Sequence, residues 1–74
     1  SSVDKKFAVK HLELADLYFR YRRYEEAITE YTKSMELDPL NGEIRAKRAK
    51  CYAKLGYISR AIQELTESLQ DNPR

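Results

Sequence analysis

Few side chains in this chain of 74 residues could do chemistry. It has one histidine, His11, and one cysteine, Cys51, which are too few to build a metal site. Cys51 fits a small buried hydrophobe better than a reactive thiol. The neighbouring carboxylates Glu25 and Glu26 point in different directions from a helix and suit its first turn, where acidic side chains are favourable. The sequence therefore predicts no enzyme, with no catalytic residue, no cofactor and no metal.

A row of basic residues is a stronger signal. Lys47, Lys50 and Lys54 recur at steps of three and four residues, so they share one face if this segment is a helix. They could form a solvated face whose charges pair with neighbouring glutamates, each pair contributing under about 1 kcal/mol. They could equally attract an acidic ligand. The sequence leaves these two interpretations open.

Composition sets wider limits. Charged residues make up 35% and hydrophobic residues 42% of the chain, and no apolar run approaches the roughly 20 residues that cross a bilayer. The net charge of +2 is too small to indicate a nucleic-acid partner. Tyrosines interleaved with arginines could stack on bases, but their helical spacing favours core packing. A single cysteine excludes an internal disulfide and favours a reducing compartment, so we expect a cytoplasmic protein that does not bind membranes.

Four segments carry apolar residues at the helical period. We expect helices over residues 5–23, 25–38, 43–55 and 59–71, and no strand, because no segment alternates at period two. Pro39 stops the second helix, and Asn41 can cap the third. Gly56 can take the left-handed conformation that ends the third helix, and Ser59 suits the cap of the fourth.

These helices are arranged as a repeat. Eight residues recur unchanged at an offset of 34: Ala15/Ala49, Tyr18/Tyr52, Ala27/Ala61, Ile28/Ile62, Glu30/Glu64, Thr32/Thr66, Ser34/Ser68 and Pro39/Pro73. A fixed period of this size indicates stacked supersecondary units rather than a single globular core. It favours a scaffold that binds a partner.

The repeat carries a family signature of bulky, small, aromatic and terminating residues. The first copy supplies His11, Leu14, Ala15, Tyr18, Ala27, Tyr31 and Pro39, and the second supplies Arg45, Arg48, Ala49, Tyr52, Ala61, Leu65 and Pro73. On these positions residues 8–73 resemble two tandem tetratricopeptide repeats. The resemblance implies an all-α fold of two helix-turn-helix hairpins, four antiparallel helices stacked as a short right-handed α-solenoid. Residues 1–74 would form one domain, with repeat one at 8–41 and repeat two at 42–74.

The resemblance also implies where a partner binds. In this family the first helix of each repeat lines a concave groove that receives a peptide or a partner helix. Carried over position by position, the expected partner-binding residues are Leu12, Asp16, Phe19, Arg20, Lys47, Lys50 and Lys54. Both first helices are mainly basic and both second helices mainly acidic, so we expect an acidic protein or peptide partner. Phe19 could anchor an apolar side chain.

One activity of similar repeats is not expected. Repeats that clamp the C-terminal carboxylate of heat-shock chaperones use a lysine and an asparagine on the first helix and an asparagine on the third. The corresponding residues here are Leu12, Asp16 and Lys47. The clamp is absent, and the carboxylate of Asp16 would repel another carboxylate.

Three departures from the family pattern lead to further expectations. Arg45 and Arg48 replace a packing aromatic and a leucine, and such an arginine could lay its stem on the core with its head in water. Arg22 stands where Gly56 closes the second hairpin, and a left-handed arginine costs roughly 1 kcal/mol. A continuous helix from Lys5 to Leu37, exchanged with another chain, is therefore an alternative. A homodimer through the uncovered fourth helix is another.

Overall fold

The four expected helices are present in the computed structural model, which describes residues 2–71. They are α1 (Ser2–Arg20), α2 (Tyr24–Leu37), α3 (Gly42–Lys54) and α4 (Ile58–Asp71). No strand occurs in these residues. Within the same range, no helix is long and apolar enough to span a bilayer.

The ends of the helices confirm one predicted cap and contradict another. The Asn41 side chain accepts a hydrogen bond from the Glu43 N–H at 3.1 Å, which confirms the predicted cap of α3. Ser59 is not a cap, because α4 already begins at Ile58 and the Ala61 N–H bonds to the Tyr57 carbonyl at 3.0 Å. α1 begins three residues before the predicted start and ends at Arg20 rather than at residue 23.

The two hairpin turns have matching backbones. Arg22 has φ 63° and Gly56 has φ 90°, so both residues are left-handed. In the first turn the Arg23 N–H reaches the Tyr18 carbonyl at 2.9 Å, and in the second the Tyr57 N–H reaches the Tyr52 carbonyl at 2.9 Å. The alternative of a continuous helix through residues 21–23 is wrong, because this hydrogen-bonded turn interrupts it.

The helices pack in chain order, α1 on α2, α2 on α3 and α3 on α4. One buried cluster joins the first three helices, and its members are Ala15, Ala27, Tyr31, Ile44 and Cys51. Small side chains allow the close approach of α1 and α2, where the buried Ser34 hydroxyl donates to the Ala8 carbonyl at 2.7 Å. This sequence of helix contacts agrees with stacked hairpins. The right-handed solenoid and the stated repeat bounds stay predictions.

Several apolar residues of α1 and its end lie outside this core. Phe7, Leu14, Leu17 and Tyr21 are 53%, 39%, 43% and 69% exposed. The helical period alone does not separate them from the packed residues of α1. The reason is that α1 carries two apolar faces, and only the one bearing Ala8 and similar small residues packs on α2. Periodicity identified the helix without distinguishing its two faces.

Candidate partner-binding cleft

A cleft of about 170 Å³ opens where α1, α2 and α3 meet. Five side chains line it: Asp16, Phe19, Tyr31, Lys47 and Lys50. On α1 and on α3 the two lining residues are three positions apart, so each pair projects from one side of its helix. Pockets for small-molecule ligands usually measure about 300–1,000 Å³. This cleft therefore suits one side chain of a larger partner better than a whole cofactor.

Asp16 organises the polar part of the cleft. Its carboxylate accepts a hydrogen bond from the Tyr31 hydroxyl at 2.5 Å and from Lys47 Nζ at 3.2 Å. Burial, and after it the bond to Asp16, raises the pKa of the Tyr31 hydroxyl well above its ordinary value. Tyr31 therefore stays a neutral donor. The ammonium of Lys47 offsets part of the charge of the Asp16 carboxylate.

The two lysines of the cleft differ in their surroundings. Lys47 is half-buried and, besides its pair with Asp16, lies 3.9 Å from the Glu43 carboxylate. Lys50 is exposed and has no ion-pair partner in the part of the chain that the structure describes. The cleft therefore holds one fixed, compensated ammonium and one available ammonium at its rim.

Phe19 forms the apolar wall. Its ring packs edge-on against Tyr24, with centroids 5.3 Å apart and planes at 73°. This contact limits the rotation of a ring that would otherwise lose entropy on binding. The cleft thus combines a positioned aromatic surface with an adjacent positive charge.

The structure gathers four of the seven expected site residues in this cleft, namely Asp16, Phe19, Lys47 and Lys50. It does not bring the other three there. Leu12 packs against the buried cluster, while Arg20 and Lys54 lie exposed in the last turns of α1 and α3. A helical face several turns long is wider than the cleft, so residues sharing a face do not all share the site.

Tyr31 is the lining residue that the sequence assigned only to the core. Its ring is buried, but its hydroxyl reaches the cleft and bonds to Asp16. The available signal was the mismatch with Leu65 at the equivalent position of the second repeat. A tyrosine where a leucine suffices indicates a use for the hydroxyl, since a buried phenol needs a partner.

In each hairpin, outside the cleft, a glutamate of the second helix pairs with a side chain of the first helix. His11 Nδ1 lies 2.7 Å from the Glu30 carboxylate, and Lys33 approaches the same carboxylate at 3.3 Å. The Arg48 guanidinium donates to Glu64 and to the Thr32 hydroxyl, the latter at 3.1 Å.

The Arg48–Glu64 pair corrects one expectation. The Arg48 and Glu64 side chains are only 12% and 3% exposed. The expectation that the Arg48 head would lie in water is therefore wrong, because the buried Glu64 draws it inward.

Cys51 is fully buried in the cluster, as expected for a small hydrophobe. Burial, and after it the nearby Asp16 carboxylate, raises the pKa of its thiol to about 11. The thiol is thus protonated at neutral pH and closed to solvent, which leaves it unreactive. Across residues 2–71 no group of three or more His, Cys, Asp or Glu side chains could hold a metal ion.

Two hairpins at a fixed offset, closed by turns with corresponding hydrogen bonds and packed in series, define a helical-repeat protein. Residues 18–74 match the tetratricopeptide repeat family. The chain belongs to that family, whose repeats are generally non-catalytic protein-interaction modules.

Relatives of known name agree with this assignment. The chain is 27% identical over 70 residues to the Hsp70-Hsp90 organizing protein of Triticum aestivum, covering 95% of this chain and 12% of that protein. It is 31% identical over 67 residues to tetratricopeptide repeat protein 14 of Mus musculus, covering 90% and 9%. It is 40% identical over 53 residues to RNA polymerase II-associated protein 3 of Homo sapiens, covering 72% and 8%. The chain thus spans about a tenth of the length of these relatives.

Proposed function

We propose that the cleft formed by Asp16, Phe19, Tyr31, Lys47 and Lys50 binds an acidic segment of a protein partner. The observation that carries the proposal is the exposed Lys50 ammonium beside the Phe19 ring. A glutamate or aspartate side chain of the partner would approach Lys50, and a neighbouring apolar side chain would lie against Phe19. The volume of about 170 Å³ supports entry of one such side chain.

The pairing of Lys47 with Asp16 shapes the specificity. Lys47 lends little net charge to a ligand because Asp16 and Glu43 already offset it. Lys50 therefore provides most of the attraction, which acts at the rim and is screened by salt. If the ligand carried two adjacent acidic groups, one of them would lie close to the Asp16 carboxylate and be repelled by it. We expect a single acidic residue flanked by apolar residues to bind better than an acidic run or a terminal carboxylate.

The similarity to Hsp70-Hsp90 organizing proteins supports a role in protein assembly. It does not extend to a carboxylate clamp, since Asp16 holds the centre of the cleft. The activity that we propose is protein binding, with the chain serving as a scaffold for the partner protein.

A panel of labelled 12-residue peptides tests the proposal. Each peptide carries a central Leu-Glu pair, and its matched peptide carries Leu-Gln. Fluorescence anisotropy should show preference for the glutamate peptides, weakening as salt rises. Lys50→Glu should reduce this binding by about three- to tenfold, because it removes one attraction and adds a repulsion.

Lys6→Glu is the matched control, because it makes the same charge change at an exposed residue of α1 outside the cleft. It should leave the preference unchanged. Lys47→Glu together with Lys50→Glu should remove the preference altogether. Equal binding of glutamate and glutamine peptides, or equal losses for Lys50→Glu and Lys6→Glu, would show that the cleft does not select acidic partners.

A further inference from the structure

Three cations near the hairpin turns have no counter-charge of their own. Arg20, Lys50 and Lys54 are exposed, and none of them forms an ion pair within residues 2–71. Other cations of the same helices and turns are compensated, since Lys47 pairs with a carboxylate of α1 and Arg23 with one of α2. We name Arg20, Lys50 and Lys54 the cationic rim.

The cationic rim continues the two helix faces that line the cleft. Arg20 lies four residues beyond Asp16 on α1, and Lys54 lies four residues beyond Lys50 on α3, so each follows its predecessor on one face. Arg20 and Lys54 are also the last residues of their helices. The pair of Asp16 with Lys47 holds α1 beside α3. The cleft therefore leads from a carboxylate at one end to the cationic rim at the other.

The end of the molecule that holds the turns carries an excess of positive charge. Residues 18–27 and 50–60 contain six basic and two acidic residues, a net charge of +4. The rest of the described chain contains seven basic and ten acidic residues, a net charge of −3. Two helices end and two begin at the turns, so their dipoles of about −0.5 and +0.5 charge offset one another there. The excess positive charge is therefore available to an anion.

We infer that the cationic rim binds the phosphate of a phosphorylated serine or threonine in the segment that occupies the cleft. The inference rests on the proposed function, because an apolar side chain of that segment against Phe19 sets its position. A phosphate group carries a charge of about −1.5 to −2 and three acceptor oxygens, so it can contact several cations at once. A carboxylate carries a single charge and would leave the rim partly uncompensated.

Helix geometry sets the spacing between the apolar residue and the phosphate. Lys54 lies about 6 Å along the axis of α3 from Lys50, because four residues rise by about 1.5 Å each. An extended peptide advances by about 3.3 Å per residue, so two residues cover this distance. The phosphorylated residue should therefore lie two positions from the residue that contacts Phe19.

The surroundings of the rim favour one phosphate over a nucleic-acid strand. A strand needs a basic groove several nucleotides long, with aromatic side chains on which successive bases stack. Asp16 lies at the opposite end of the cleft, and Glu25 and Glu26 stand in the first turn of α2, directly after the first hairpin turn. The ring of Phe19 already packs edge-on against Tyr24. A short cationic surface between carboxylates matches a single phosphate.

Fluorescence anisotropy with labelled 12-residue peptides tests the inference on the 74-residue chain. One set carries a central Leu-Gln-X, in which X is phosphoserine, glutamate or serine, and a second set carries X-Gln-Leu for the opposite chain direction. In one set the phosphoserine peptide should bind about three- to tenfold more tightly than the glutamate peptide, because charge-assisted bonds to several cations replace a bond to one. The glutamate peptide should in turn bind more tightly than the serine peptide.

Arg20→Gln combined with Lys54→Gln should remove most of the preference for phosphoserine over glutamate. Lys6→Gln combined with Lys10→Gln is the matched control and should retain it. The control also removes two exposed cations, and both lie on α1 about 15 Å or more along its axis from Arg20. Circular dichroism and urea denaturation show whether each variant is folded.

Four outcomes would overturn the phosphate site. Equal binding of phosphoserine and glutamate peptides, both tighter than serine, would remove it and leave the proposed function standing. Equal binding of all three peptides would remove both. Loss of stability in the Arg20 and Lys54 variant, without a change in the phosphoserine preference, would show that these cations only stabilise helix ends. Tighter binding of a 12-nucleotide oligothymidine than of the phosphoserine peptide would indicate a nucleic-acid site instead.

Discussion

The two hairpins place a buried glutamate at the same repeat position and neutralise it differently. Glu30 pairs with His11 of α1 and with Lys33 of its own helix, and its side chain is 11% exposed. Glu64 pairs with Arg48 of α3 and is 3% exposed. A second helix of this fold thus accepts a carboxylate facing the first helix if that helix supplies a hydrogen-bonding partner. The partner does not come from one fixed position, because Arg48 lies one turn beyond the residue equivalent to His11.

The largest effect should come from breaking the second pair. Arg48→Met leaves the Glu64 carboxylate buried without its cation, which should lower the free energy of unfolding by about 3–5 kcal/mol. Urea denaturation followed by circular dichroism measures it. Arg48→Met combined with Glu64→Leu is the control and should recover most of the loss, since an apolar pair carries no desolvation cost. A single variant that loses less than about 1 kcal/mol would mean that water reaches Glu64.

The same break in the first hairpin should cost less. His11→Phe removes one donor from Glu30 but leaves Lys33, and the His11 side chain is already 33% exposed. We expect a loss of about 1–2 kcal/mol in the same urea experiment. Lys33→Met, which removes the more exposed partner, should cost less than His11→Phe. A loss equal to that of Arg48→Met would remove the distinction between the two pairs.

The left-handed residues of the two turns, Arg22 and Gly56, can be exchanged for one another. Arg22→Gly should raise the free energy of unfolding by about 1 kcal/mol, because it relieves a left-handed arginine. Gly56→Arg should lower it by a similar amount, since no atom lies within 4 Å of an added Cβ and only backbone strain is introduced. Thermal and urea unfolding of both variants and of the double exchange measure these effects. A double exchange far from the parent stability would show that the two turns are not equivalent.

Sequence reasoning recovered the features that depend on local rules. The four helices, the cap at Asn41 and the left-handed Gly56 follow from periodicity and backbone geometry within a few residues. At Arg22 the sequence left a left-handed turn and a continuous helix open, and the structure has the turn. The predicted start of α4 at Ser59 was wrong by one residue, because the Tyr57 carbonyl already accepts the Ala61 N–H and the helix begins at Ile58.

The contacts between distant residues could not be derived in this way. Lys47 and Asp16 are 31 residues apart, and Arg48 and Glu64 are 16 apart. Whether they meet depends on the rotation of each helix and on side-chain rotamers, which a periodic pattern leaves undefined. The repeat identified where Glu30 and Glu64 lie, but it could not identify the side chains that pair with them. Four residues of the cleft were predicted from the positions that line the groove in similar repeats, and Tyr31 was missed because its ring and its hydroxyl lie in different environments.

The smallest expected effect is on the pH dependence of stability, and it concerns Glu30 of the first hairpin. Burial acts to raise the pKa of Glu30, but hydrogen bonds from His11 and Lys33 outweigh it and leave that pKa below the usual 4.5. A folded-state pKa below the unfolded value contributes stability that is complete above about pH 4.5 and is lost as pH falls through the folded value. His11→Phe should therefore flatten the fall in stability between about pH 5 and pH 3, by less than about 1 kcal/mol. Urea midpoints at successive pH values measure this slope.

Glu26, whose pKa is lowered chiefly by its hydrogen bond from Arg23, adds a background slope that both proteins share. Unchanged slopes in the two proteins would place the acid sensitivity at Glu26 instead of Glu30, since only the Glu30 contribution depends on His11.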